Sequence, residues 1–103
     1  MQRQDYIERL IQQVAAAIAR ALGAAEAGRP EEAQHELDAA WSGALGFRRR
    51  DVERLDEGTL HMMLGGKLAA AATLLNAEAD LRQGRGDAAG ADRLRSLAGR
   101  LRP

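Results

Sequence analysis

The sequence predicts an all-α fold of antiparallel helical hairpins, and three observations carry that prediction. Alanine, the strongest helix former, supplies 22 of the 103 residues. Strand-favouring residues are scarce: Val14 and Val52 are the only valines, and Thr59 and Thr73 the only threonines. Apolar residues recur at three- and four-residue steps between glycines placed where helices need to end. A chain of 103 residues supports one domain with a single modest core. Residues 1–103 divide into a hairpin over 4–45, an irregular middle over 46–66 and a second hairpin over 67–102, with about five helices in all.

The first helix is predicted over about Gln4 to Ala27. Tyr6, Ile7, Leu10, Ile11, Val14, Ile18, Ala21, Leu22 and Ala25 form one apolar stripe, with Glu8, Arg9, Gln12, Gln13 and Arg20 on the other side. Asp5 suits the positive end of the helix dipole. Gly28 followed by Pro30 then makes a corner: glycine tolerates the left-handed conformation past a helix end, and proline opens a helix without losing a hydrogen bond.

The second helix runs from about Pro30 to Ala44, with Ala33, Leu37, Ala40, Trp41, Ala44 and Leu45 turned inward and Trp41 as the core's largest anchor. Gly43 and Gly46 weaken and end it. In the middle, Arg48, Arg49 and Arg50 read as a solvated basic knot, followed by a turn of helix around Val52 and Leu55. Asp56 reads as the N-cap of a helix of about two turns, with Leu60, Met63 and Leu64 inward and the Gly65-Gly66 pair as its break.

The fourth helix, about Lys67 to Gln83, carries apolar residues on two sides: Leu68, Ala71, Ala72, Leu75 and Ala79, then Leu74, Ala77 and Leu81. That pattern places it between neighbours. A corner at Gly84-Arg85-Gly86-Asp87 leads to a last helix, about Asp87 to Arg102, with Ala91, Leu94, Leu97, Ala98 and Leu101 inward.

Formal net charge is zero, which gives no global attraction for nucleic acid or an anionic membrane. Acids outnumber bases before Asp38, whereas six arginines face only Asp87 and Asp92 from Arg82 onward. Cysteine is absent, which excludes disulfides, thiolate metal sites and cysteine nucleophiles. The opening MQRQDYIERL has no apolar signal core, and no stretch approaches the roughly 20 apolar residues of a membrane span. A soluble cytoplasmic protein is expected.

The two corners share a pattern. Gly28 is followed by Ala33, Leu37 and Ala40 at offsets of five, nine and twelve, and Gly86 by Ala91, Arg95 and Ala98 at the same offsets. This resembles the second half of a tetratricopeptide repeat, whose small-large-small positions lock one helix onto the other. Arg95 departs from it, and the Trp-Leu-Gly-Tyr positions of the repeat's first helix are not matched cleanly. The corner glycines are 58 residues apart, about 24 more than the roughly 34 of a tandem array. The QDYIERLIQQ opening, the hairpin after it, the variable middle and the closing hairpin resemble a family of short bacterial proteins of unknown function. The resemblance implies an all-helical, tetratricopeptide-like fold and brings no activity, cofactor or functional residue.

Candidate chemistry is thin. Glu32 and His35 have the Glu-x-x-His spacing of di-iron bundles, which need two such pairs and two further glutamates; one pair beside Glu31 and Glu36 reads as a solvated helix face. His61 with Glu57 is no stronger. Gly84-Arg85-Gly86 lacks the dinucleotide spacing and a preceding strand, and reads as an interhelical turn. Hydroxyls at Ser42, Ser96, Thr59, Thr73 and Tyr6 sit in no nucleophile elbow and beside no histidine. Met62 and Met63 read as fillers of core gaps, although methionines can also line an adaptable groove.

No enzyme, cofactor or metal is expected. The expectation is a non-catalytic interaction or self-association module, a homodimer or a complex with another protein, binding through Tyr6, Ile7, Leu10, Ile11 and Val14. The alternative is a nucleic-acid accessory that uses Arg48–Arg50 and the C-terminal arginines.

Overall fold

The computed structural model describes residues 3–102, with side chains from Asp5 to Arg102. Gln2 and the side chains of Arg3 and Gln4 lie outside the described residues. The described residues form six α-helices: α1 (Arg3–Glu26), α2 (Pro30–Ala40), the single turn α3 (Arg49–Val52), α4 (Glu57–Leu64), α5 (Leu68–Gly84) and α6 (Ala88–Leu101). No strand occurs among the described residues.

Both hairpin corners close in the same way. Gly28 has φ +78 and Gly86 φ +87, conformations that cost a side-chain-bearing residue its Cβ clearance. The Gly28 N–H donates to the Ala25 carbonyl at 3.0 Å, and the Arg29 N–H to that of Ala24 at 2.9 Å. In the second corner the Gly86 N–H reaches Gln83 at 3.1 Å and the Asp87 N–H reaches Arg82 at 2.9 Å. These paired closures satisfy carbonyls that a helix end otherwise orphans, and they send the next helix back antiparallel.

The starts of the returning helices differ. Pro30 sets the first turn of α2, where Arg29 provides no side-chain cap. The Asp87 carboxylate caps α6 by accepting the Gly90 N–H at 2.9 Å.

The α-helical ladder of the second helix ends at Ala40, four residues before the predicted end, and Trp41–Leu45 form one wide π-turn. Its buried residues explain the change. Ala33, Leu37, Trp41 and Leu45 are four apart, and each step overshoots an ordinary helical turn by about 40°. A wider turn rotates less per residue and returns Leu45 to the buried side. Gly46, φ +77, ends the segment, with the Phe47 N–H donating to the Trp41 carbonyl at 3.1 Å.

In the middle, Asp56 caps α4 as the sequence predicts, accepting the Thr59 N–H at 3.4 Å and the Thr59 hydroxyl. The Thr59 hydroxyl bond holds the Asp56 carboxyl below its ordinary value. A 3₁₀ turn at Gly65–Lys67 joins α4 to α5.

α5 is the centre. It packs on α6 and α1, with α2 and α4 also touching it. Leu68, Ala71, Ala72, Leu75 and Ala79 are buried on one side and Leu74 and Ala77 on the other, so the two-sided pattern is a helix enclosed by its neighbours. The core is one cluster, with Trp41 fully enclosed. Leu60 and Leu64 of α4 join it, but Met63 does not: it is 58% exposed, because the two α4 residues that reach the core leave it on the outer side.

Candidate interaction surface

Helix α1 carries its apolar residues in two lanes. At about 100° per residue, Leu10, Val14, Ala17, Ala21 and Ala24 face the core, while Ile7, Ile11, Ile18 and Leu22 fall one lane over. Of the five residues expected to bind a partner, Leu10 and Val14 are therefore interior and unavailable to one. Ile11 is 50% exposed, Tyr6 is exposed, and Ile7 is half-buried.

The outer lane borders a groove of about 320 Å³ between α1 and α5, lined by Ile11, Val14, Ala15 and Ile18 on one wall and Ala69, Ala70 and Thr73 on the other. Small α5 residues keep that wall low. At one end, Lys67 Nζ lies 5.8 Å from the centre of the Tyr6 ring. At the other, Leu22, Ala25, Pro30 and Leu81 line a depression of about 440 Å³ beside the first corner.

A second apolar surface lies in the irregular middle. Met62 is 78% exposed, so neither methionine fills a core gap. Phe47, Leu55 and Met63 line a groove of about 470 Å³ together with Arg48, Asp51 and Arg54. Methionine on an exposed groove gives an unbranched, adaptable apolar wall.

The basic knot is not uniformly solvated. Arg48 and Arg50 are exposed, but Arg49 retains only 9% of its exposure because the single turn of α3 points it inward. Its guanidinium meets Glu78 of α5 as a fork, with Nε donating to Oε1 at 2.8 Å and Nη2 to Oε2 at 3.0 Å. Glu78 is 1% exposed. Arg49 Nη1 also reaches Glu53 at 3.2 Å, and Arg82 Nη2 donates to Glu78 Oε2 at 3.0 Å.

Burial pushes the Glu78 carboxyl upward, but the Arg49 hydrogen bonds and charge, with Gln34 and Arg82 assisting, outweigh it and hold Glu78 below its ordinary value. Burial likewise opposes the Arg49 cation, and the Glu78 bonds and charge reverse that, raising its value. The network ties the irregular middle to the central helix. One signal for it is present in the sequence: Glu78 is the only charged residue between Leu68 and Ala79.

The other candidates do not converge. Glu32 pairs with Arg29, and His35 is exposed. His61 Nε2 lies 2.8 Å from the Arg100 carbonyl. The Ser42 hydroxyl donates to the Phe47 carbonyl at 3.3 Å. Among the described residues, no three His, Cys, Asp or Glu side chains gather to hold a metal, and no helix is long and apolar enough to cross a membrane. Arg82, Arg95 and Arg100 each face a carboxylate, of Glu78, Asp80 and Glu57 respectively. No family model, curated protein or solved structure matches the chain.

Proposed function

We propose that the protein is a non-catalytic self-association or protein-interaction module whose contact surface is the outer lane of α1 and the groove beside it. The observation that carries this reading is the exposure of Ile11 and Leu22 along the outer lane of a helix whose other apolar lane is already in the core. Water contact along such a continuous lane is unfavourable by about 25 cal/mol for each Å² left uncovered, so covering it drives association. The likeness of both corners to tetratricopeptide hairpins supports a scaffold role, since stacked hairpins end in faces that need a cap or a partner. A homodimer is the smallest assembly that covers the lane. The bacterial resemblance and the cysteine-free composition fit the cytoplasm.

Carboxylates hold Arg49, Arg82 and Arg95, so the nucleic-acid reading rests on the exposed Arg48 and Arg50.

Sedimentation velocity across micromolar concentrations tests the proposal. The sedimentation coefficient rises with concentration, and Ile11→Glu returns it to that of a monomer at unchanged helix content. A wild-type chain that stays a compact monomer throughout, with no apolar surface bound by dye, contradicts it.

A further inference from the structure

If the α1 lane associates with another copy, its charges restrict which surface of that copy it meets. Glu8 and Glu26 are both exposed and stand 18 residues apart, five full helical turns, so they share one flank of the lane. An antiparallel pairing of two α1 helices lays that acidic flank against itself. A parallel pairing swings it over α5 of the second copy, where Arg95 already holds Asp80 and Arg85 lines the same depression as Glu26. Acid meets acid in the antiparallel arrangement, and like charges brought together across an interface are unfavourable.

The groove lined by Phe47, Leu55 and Met63 has the opposite sign. Arg48 and Arg54 stand on its rim, and Arg50 is exposed next to them on α3. Asp51 offsets them only through a loose 4.0 Å contact with Arg54, whose side chain is largely exposed. An aliphatic helix with an acidic flank is what a methionine-walled, arginine-rimmed groove fits. No residue lines both surfaces, so one copy can offer its lane while receiving another in its groove.

We infer that the chain self-associates head to tail, with the outer lane of α1 seated in the Phe47–Leu55–Met63 groove of the next copy. This rests on the self-association reading above and specifies its geometry. A head-to-tail contact leaves one lane and one groove free at the ends, so the assembly lengthens with concentration unless the rotation closes a ring.

Mixing two variants tests it. Ile11→Glu disables the lane and leaves the groove intact. Met63→Glu with Arg54→Glu disables the groove and leaves the lane intact. Both sites are exposed, and circular dichroism confirms the helices; Ala15→Glu, on the same exposed side of α1, replaces Ile11→Glu if that variant loses structure.

The expected result is that each variant alone sediments as a monomer, that an equimolar mixture forms a one-to-one dimer that does not lengthen, and that added salt weakens it. A groove variant that associates like the wild type overturns the inference in favour of a symmetric contact. A mixture that stays monomeric while the wild type associates overturns it as well. A wild type that never associates removes the self-association reading itself, an outcome visible before any mixing.

Discussion

The two hairpins turn the same corner and then serve different ends. In α1–α2 and α5–α6 a left-handed glycine and the same pair of backbone closures reverse the chain. Five residues past each glycine, Ala33 and Ala91 are both buried, which lets the paired helices come close. Beyond that the faces diverge. At offset nine the first hairpin puts Leu37 in the core, whereas the second puts Arg95 outside, reaching Asp80 at 3.0 Å, with Leu94 taking the core position.

The first helices diverge more. α5 is enclosed on both sides, while α1 buries one lane and leaves the other in water. The difference teaches that the corner fixes only chain reversal; the residues after it decide whether a hairpin becomes interior or edge.

The largest effect expected within this comparison is at the anchor of the first hairpin. Trp41 is fully enclosed and has no counterpart in α6, where Gly99 stands at the equivalent offset. Trp41→Ala costs about 4 kcal/mol in urea unfolding. A cost under about 1 kcal/mol would mean that the second hairpin alone carries the core.

Next comes the brace that only the second hairpin has. Arg49→Met leaves Glu78 buried without its fork and costs about 3 kcal/mol, and adding Glu78→Leu recovers much of the loss. The Glu78 carboxyl is held below its ordinary 4.5, so its contribution to stability is complete above that value and lost as pH falls through the lower folded value. Urea midpoints followed down through that range drop more steeply in wild type than in Glu78→Gln.

Smaller effects test how far the corners are equivalent. Gly28→Ala and Gly86→Ala each force a side chain into the left-handed region and cost about 1–2 kcal/mol. Equal losses support a shared corner; a loss at one position alone breaks the comparison. Asp87→Ala removes the cap that α6 has and α2 lacks, and thermal unfolding registers about 1 kcal/mol.

Much of the fold is legible in the sequence because its punctuation is local. Gly28 with Pro30, the Gly84–Asp87 corner and the Asp56 cap each act through backbone groups a few residues away, and the helix ends fall within a few residues of where those signals put them. What is not legible depends on rotation and on distant partners. Leu10 and Ile11 belong to one broad apolar band, and only the position of α5 decides which lane is covered. Arg49 looks like Arg48 and Arg50 until a one-turn helix aims it at a carboxylate 29 residues away. Met63 reads as core by its period, yet Leu60 and Leu64 already fill the short contact that α4 makes. The wide turn at Trp41 answers a spacing of four that looks like ordinary helix on paper.

Amide hydrogen exchange at low and high protein concentration tests most directly the claim that α1 is the edge and α5 the interior. Raising the concentration is expected to slow exchange along α1 and around Phe47 and Met63, while α5 and α6 keep the protection they already have. Slowing confined to α6, or no dependence on concentration anywhere, would contradict it.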